Sequence, residues 1–557
     1  MEFKDILDRR QLASFLDIEY RQLTNILYAK KIENLYVSFD IPKKNGEVRH
    51  INAPTASLKF IQRKLADRLY DAQERYYTKG KRQGVAQGFI KKRSIITNAE
   101  NHRHKKIILN VDLQDFFDSF HFGRVKGYFE KNINFRLPPE VSLCVAQLAC
   151  YQGKLPQGSP CSPVIANLIC SIMDNRILGL TKQYKLVYTR YADDLTFSTN
   201  DPHFPELKDQ FLQELALIVN KSGFCINESK TRFSFYTARQ EVTGLVVNNR
   251  ISIKREYYKS TRSMVDHIYR GLGAEIDGEP LSINAVEGRL AYINQVDKYD
   301  NIHREQKDKK RNYIKLNGRE KEYRNFLFYK YFYAQHKPLL VTEGKTDIIY
   351  LKSALRNLYQ RYPKLIRKKK DGSFEYLISF FQRSSRFEYL FNISIDGADT
   401  LANIYNYYVG NNNCPNLFLL FGQKTKQKPS QPVILIFDNE QISERPLKKF
   451  LQRIKKPKLL KEKNAGFVTG NLFVVTNSLV EDKKESEIED LFTEDLLKIE
   501  INGKTFDRKG KDSQNSFGKA IFANYIASHY MTIDFSAFIP FLDTINKIIE
   551  EYPKCEI

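Results

Sequence analysis

Asp193 and Asp194 are adjacent acids set between two runs of apolar, β-branched and aromatic residues, 186–191 and 195–198. The pattern predicts a β-hairpin carrying both carboxylates at its turn. Two acids held that close repel one another, and a cation between them removes the cost. Asp112 ends a further apolar run, 106–111, which reads as a buried strand. Were that strand to lie beside the hairpin, three carboxylates would converge. Mg²⁺ takes hard oxygen ligands and shares itself between carboxylates and phosphates, and two such ions clamp the attacking and leaving oxygens of an in-line phosphoryl transfer. A second set of acids lies far along the chain. Glu343 follows the apolar run 338–342, and Asp438 and Glu440 follow the apolar run 432–437. Acids at strand ends separated by helical stretches describe an α/β sheet with a carboxylate site at its C-terminal edge.

Between Asp112 and the hairpin, Leu155-Pro156-Gln157-Gly158-Ser159-Pro160-Cys161-Ser162-Pro163 reads as a rigid turn leading into an apolar helix from Val164, its amide dipoles available to substrate. A strand ending in an acid, this turn, and then Tyr191-Ala192-Asp193-Asp194 together resemble the palm of a reverse transcriptase. Two shorter motifs narrow the resemblance to retron reverse transcriptases: Asn98-Ala99-x-x-His102 directly before the first catalytic strand, and Val242-Thr243-Gly244 after the palm.

The resemblance implies an α+β right-hand polymerase with fingers, palm and thumb. Asp112, Asp193 and Asp194 would be catalytic and hold two Mg²⁺ ions. Arg49 would lie over the incoming triphosphate, Gln157 near the nucleotide, and Lys230 toward the triphosphate or template as a compact charge. Phe117 would sit beneath the sugar, where a bulky ring rejects a ribose 2′-hydroxyl, so that dNTPs are used and the product is DNA. Asn98, Ala99, His102, Val242, Thr243 and Gly244 would serve the cognate noncoding RNA. Such enzymes prime on a guanosine 2′-hydroxyl and make a branched RNA–DNA hybrid, msDNA. With no ribonuclease H segment evident, template removal would fall to a host ribonuclease H.

These residues need elements to hold them. Residues 1–35 show apolar spacing for a short helical lead-in; 35–54 read as a hairpin turning at 43–47, with Arg49 on the returning strand; 58–77 read as an amphipathic basic helix. Gly88-Phe89-Ile90-Lys91-Lys92-Arg93-Ser94 mixes basic, aromatic and glycine residues in a manner suited to a template backbone. Lys254, Arg255, Lys259, Arg262 and Arg270 mark a basic thumb helix suited to RNA phosphates. The expected domains are a reverse transcriptase over 1–300 (fingers 35–105, palm 106–240, thumb 241–300), a solvated, charged connector over 301–337, an α/β domain over 338–500, and a C-terminal segment, 501–557, without a readable task.

Glu343 on one strand with Asp438-x-Glu440 on a later one resembles a Toprim domain, with glutamate where that family places the second aspartate of its pair. The longer side chain remains an oxygen ligand. The resemblance implies that Glu343, Asp438 and Glu440 are catalytic and bind one or two divalent ions; Glu487 and Glu489 read either as acids of a dipole-matched, solvated helix start or, as in the nuclease branch, as further ligands. Residues 392–399 read as a simple strand-turn-helix or, by the resemblance, as the second Toprim strand and turn with Asp396 and Asp399 as accessory acids. The whole then reads as a retron reverse transcriptase fused to a Toprim nuclease effector in anti-phage defence, acting on a nucleic-acid substrate. Alternatives are a noncatalytic Toprim binding module, or a group II intron-type enzyme. The two retron motifs and the absence of an endonuclease finger oppose the latter.

Composition agrees with this class. A chain of 557 residues exceeds one core, and a net charge of +24 implies a polyanionic partner. The seven cysteines show no Cys-x-x-Cys pair, which suits reduced thiols. No long apolar span, leader or lipidation signal is recognised, so a bacterial cytoplasmic protein without membrane attachment, able to form a homo-oligomer, is expected.

Overall fold

In the computed structural model the chain divides into two compact units, Met1–Tyr257 and Tyr258–Ile557. The structure describes residues 2–42, 46, 48–79, 84–305, 316–393, 399–411, 414–460, 463–480, 483–508 and 515–552.

The first unit is built on a four-stranded antiparallel sheet. β1 (Tyr36–Pro42) and β2 (Val48–Pro54) form a separate two-stranded ribbon, while β3 (Ile107–Gln114), β4 (Val187–Tyr191), β5 (Asp194–Thr199) and β6 (Cys225–Phe235) pair in the order β4-β5-β3-β6. β3 and β5 are buried along nearly their whole length, which is why they read as apolar runs without clean alternation. The helix Ser162–Gln183 packs beside β4 and against the helices Ala56–Lys79 and Phe204–Lys221. Proline near its start suits the first helical turn, where no intrahelical N–H is needed. This helix is long and apolar enough to span a bilayer, contrary to the expectation of no such stretch. However, 67% of its apolar window is buried inside the protein, so core packing accounts for its composition.

The second unit holds a five-stranded sheet. Strands Ser379–Phe380, Leu339–Thr342, Val433–Phe437 and Leu472–Thr476 run parallel in that order, and Ala465–Thr469 closes the edge antiparallel. The division falls within the expected thumb, 241–300, so that residues 258–300 cluster with this unit. Other expectations are corrected here. The described part of the connector is not solvated: Glu320, Tyr323, Phe326, Leu327 and Phe328 are buried, because an aromatic stripe runs beneath its charged residues. The strand beside Leu339–Thr342 is Ser379–Phe380, whereas Asn392 ends a helix in the left-handed conformation. Asp396, the side chain of Asp399 and the turn residues 43–45 and 47 lie outside the described residues. The C-terminal stretch is structural, since Phe522, Ile526, Phe538, Phe541 and Leu542 share a core with Tyr350 and Leu351.

Candidate functional sites

The strand register of the first unit brings the three palm acids together. Asp112 on β3 lies directly opposite Asp194 on β5, and Asp193 occupies the two-residue turn between β4 and β5, its carbonyl accepting from Leu113 N at 3.0 Å. Asp112 is 13% exposed and bonds Lys230 Nζ at 3.0 Å, so β6 supplies the cation that β3 meets. That bond raises the Lys230 pKa. Asp194 opens to solvent at the hairpin, yet enclosure by protein atoms on its other sides, and then the charges of Asp193 and Asp112, push its carboxyl up to about 7. Burial also raises Asp193, Asp112 adds to the rise, and Lys230 and Arg49 pull the other way. The donor set is all carboxylate oxygen and its mutual repulsion is what a divalent ion relieves, so the chemistry fits Mg²⁺. Among the described residues, no three such side chains close around one point; Asp112 is engaged by Lys230 instead.

The hairpin is held from beneath. Arg190, fully buried, forks onto Asp174 (Nε to Oδ1 2.9 Å, Nη2 to Oδ2 2.8 Å) and donates from Nη1 to Asn167 Oδ1 at 3.0 Å and Ala192 O at 3.2 Å. That last bond fixes Ala192, which sits at φ +57°. A charge with no exposed surface is tolerable only when paired and fully hydrogen-bonded, and Arg190 is. Gln157 lies where its carbonyl accepts from Asn52 N of β2 at 2.8 Å. Gly158 is required beside it: φ is +125°, and a Cβ would lie 2.7 Å from Asn52 O. Arg49 is exposed on β2 opposite Ile41. Phe117 is half-buried, its ring 5.3 Å from that of Phe116. In the 88–94 segment, Lys91 pairs with Asp71 at 3.1 Å and Arg93 donates to Ala86 O at 2.6 Å, leaving Lys92 exposed.

The two short motifs meet, but inside the protein. Asn98, Ala99, His102 and Val242 are buried; Thr243 is half-buried and Gly244 exposed. Thr189 Oγ1 of β4 donates to Asn98 Oδ1 at 2.6 Å, and Asn98 Nδ2 donates to Thr243 Oγ1 at 3.5 Å. His102 places Nε2 2.7 Å from Thr189 Oγ1 and Nδ1 2.7 Å from Ser198 Oγ of β5. Side chains with no accessible surface do not touch RNA directly. The motifs join each other to the strands that carry the acids, and only the Thr243-Gly244 corner reaches the surface.

Comparison with known proteins agrees with this geometry. The family described as reverse transcriptase (RNA-dependent DNA polymerase) matches residues 41–264. The Retron Ec86 reverse transcriptase of Escherichia coli is 36% identical over 269 residues, covering 47% of this chain and 77% of that protein. This chain belongs to the retron reverse transcriptases. The Retron Mx162 and Mx65 reverse transcriptases of Myxococcus xanthus are 31% and 32% identical, and the chain spans 63% and 61% of their lengths. Among solved structures, a telomerase from Candida albicans with an RNA fragment aligns at a TM-score of 0.31 and 12% identity over 52% of this chain and 59% of that one.

The second unit of this retron reverse transcriptase gathers its own acids. Glu343 and Asp438 each follow directly on one of two parallel neighbouring strands, so adjacent strand ends deliver both. Burial, then the charges of Asp347 and Glu440, push Glu343 up to about 7, and its Oε2 is buried without a hydrogen-bond partner. Burial, with Asp347, Glu343 and Glu489, holds Asp438 well above the usual carboxylate range; its Oδ1 accepts from Ile488 N at 2.9 Å. Glu440 is drawn toward Arg445 Nε at 3.5 Å, and burial raises its pKa. Glu489 is fully buried and raised by burial, with Lys519 Nζ 3.0 Å from Oε1 and 3.5 Å from Glu487 Oε2. Three participants escaped the sequence reading. Asp347 accepts from Gly344 N at 2.7 Å as a helix cap, a role its three-residue spacing from Gly344 signals. Lys519 and Arg383, which donates to Thr342 O and Glu343 O at 2.6 Å each, carry no local signal because only the folded chain brings them there. The orphaned Glu343 oxygen and the all-oxygen donor set fit a divalent ion.

Proposed function

We propose that the chain copies part of its own noncoding RNA into msDNA, starting from a guanosine 2′-hydroxyl, and that its second unit is a Toprim nuclease effector acting in anti-phage defence. Residues 1–300 would carry the reverse transcriptase, its thumb segment continuing past the unit division at Tyr257–Tyr258, and 338–500 the Toprim domain. Asp112, Asp193 and Asp194 would hold Mg²⁺, which when bound activates the attacking hydroxyl and neutralises the leaving pyrophosphate. Lys230 then gives up Asp112 and turns to phosphate, Arg49 lies over the triphosphate, Gln157 faces the nucleotide and Phe117 excludes ribose. Asn98, Ala99, His102 and Val242 support the catalytic strands from within, while Thr243-Gly244 faces the RNA. Glu343, Asp438 and Glu440, with Glu487 and Glu489, would serve a divalent ion in cleaving nucleic acid. The protein would work in the bacterial cytoplasm with a host ribonuclease H.

The observation that carries this reading is the register of Asp112 against Asp194, set beside a family membership that names the chemistry. Sequencing the nucleic acid that copurifies with the full chain tests it: a short DNA branched from RNA is expected, and unlinked RNA alone would overturn it. A second reading, a Toprim module that binds without cutting, is favoured by the pairing of Glu440 with Arg445 and of Glu489 with Lys519. Glu343→Gln separates the two, because a binding module keeps its cellular effect and a metal nuclease loses it.

A further inference from the structure

Phe89 is a bulky residue in the left-handed region, φ +59°, with 38% of its surface exposed. Neither fact suits an ordinary core aromatic, and a strained position that persists is one the surrounding structure over-determines. The determinants lie at the catalytic hairpin and on the helix Ser162–Gln183 beside it. Arg190 N donates to Val85 O at 3.0 Å and Gln87 N donates to Arg190 O at 2.7 Å, which zips residues 85–87 along β4. Asn167 Nδ2 donates to Gly88 O at 2.8 Å, and a Cβ at Gly88 would lie 2.9 Å from Ala192 N, so the backbone preceding Phe89 is pressed onto the turn that carries Asp193. The ring so placed lies 6.4 Å from that of Phe117, tilted by 55°. Phe117 also meets Phe116, which is buried in the core against Phe120 and Phe224. Phe117 therefore touches one ring held in the core and neighbours one whose position is set by the hairpin.

We propose that Phe89 is a positioning residue for sugar selection: it braces the Phe117 ring so that the ring cannot swing away from a ribose 2′-hydroxyl. The inference rests on the reading of Phe117 as the ring beneath the nucleotide sugar. Rejection of a slightly larger substrate works only if the wall does not yield, and a lone half-buried phenylalanine has room to yield on its solvent side. The brace couples the sugar wall to the same turn that aims the carboxylates.

The test is single-nucleotide extension by the full-length protein on an RNA template with a DNA primer, comparing kcat/KM for dGTP and GTP. Phe89→Ala is expected to reduce the preference for dGTP roughly tenfold, the scale on which an apolar pocket contact discriminates. Phe117→Val is expected to reduce it further, and the double variant to match Phe117→Val alone. Phe89→Gly removes the ring and relieves the backbone, so it should lose the same preference with no fall in Tm; a merely structural role predicts the reverse. An unchanged ratio in Phe89→Ala and Phe89→Gly, with Phe117→Val still impaired, overturns the brace and leaves the sugar reading standing. An unchanged ratio in Phe117→Val overturns both.

Discussion

His102 Nε2 lies 2.7 Å from Thr189 Oγ1 on one strand of the catalytic hairpin, while its Nδ1 lies 2.7 Å from Ser198 Oγ on the other. One imidazole thus ties β4 to β5 behind the acids. Burial, and then the charge of Lys105, lower its pKa to about 3. The ring is neutral in the folded protein, while the unfolded chain protonates near the ordinary 6.5. Between those values the unfolded state binds more protons, so stability is full above about 6.5 and falls as the pH drops toward 3. At pH 5 the loss from this group is about 2 kcal/mol. Urea titrations at pH 7.5 and 5.0 should show it, and His102→Gln should flatten that part of the profile. An identical pH dependence in the variant would rule out a buried neutral histidine.

Asp193→Asn with Asp194→Asn should abolish DNA synthesis without unfolding the protein, since it removes ligand charge and not core packing. In metal-free buffer the double variant should melt no lower than the parent, because the repulsion among the three acids is relieved. Added Mg²⁺ should raise the parent's Tm by more than the variant's, which keeps only the acid cluster of the second unit. Full-length product from the variant would dismiss the site assignment.

How much of this could be read in advance depends on how local each signal is. Asp112 and the Asp193-Asp194 turn were legible because a strand's burial and a turn's chemistry are written within a few residues. Asn98 and His102 were legible as a motif but not as an interior one, since their burial is decided by Thr189, Ser198 and Thr243 far along the chain. The same reason hides Lys519. The charged connector misled for a different cause: Tyr323, Phe326 and Phe328 form its buried face, and charge density on the other face masks that stripe.

Arg190→Ala should be among the most damaging substitutions in the first unit. It strands the buried Asp174 carboxylate, frees the Ala192 carbonyl and leaves a cavity, and breaking a buried pair from one side costs about 3–5 kcal/mol. Arg190→Lys should recover little, because an ammonium cannot reproduce the fork onto Asp174. Chemical denaturation of the three proteins gives the measurement, and a loss under about 1 kcal/mol for Arg190→Ala would contradict the network.

Lys519 reaches the acid cluster of the second unit from the helix Lys519–Ser528 and lies 3.0 Å from Glu489, which has no exposed surface. Lys519→Met removes the partner of a buried carboxylate and should lower Tm. Glu489→Gln removes a charge that burial already disfavours, and should cost less. If the two form a pair, the double variant recovers part of the loss, with a coupling of about 0.5–3 kcal/mol in a double-mutant cycle. Additive losses would mean that the lysine acts on the other acids instead. Added Mg²⁺ sharpens the test: an ion taken up by Glu343, Asp438 and Glu489 competes with the lysine for Glu489, so Lys519→Met should be stabilised by Mg²⁺ more than the parent is. Equal stabilisation would place Glu489 outside the ion's ligand set.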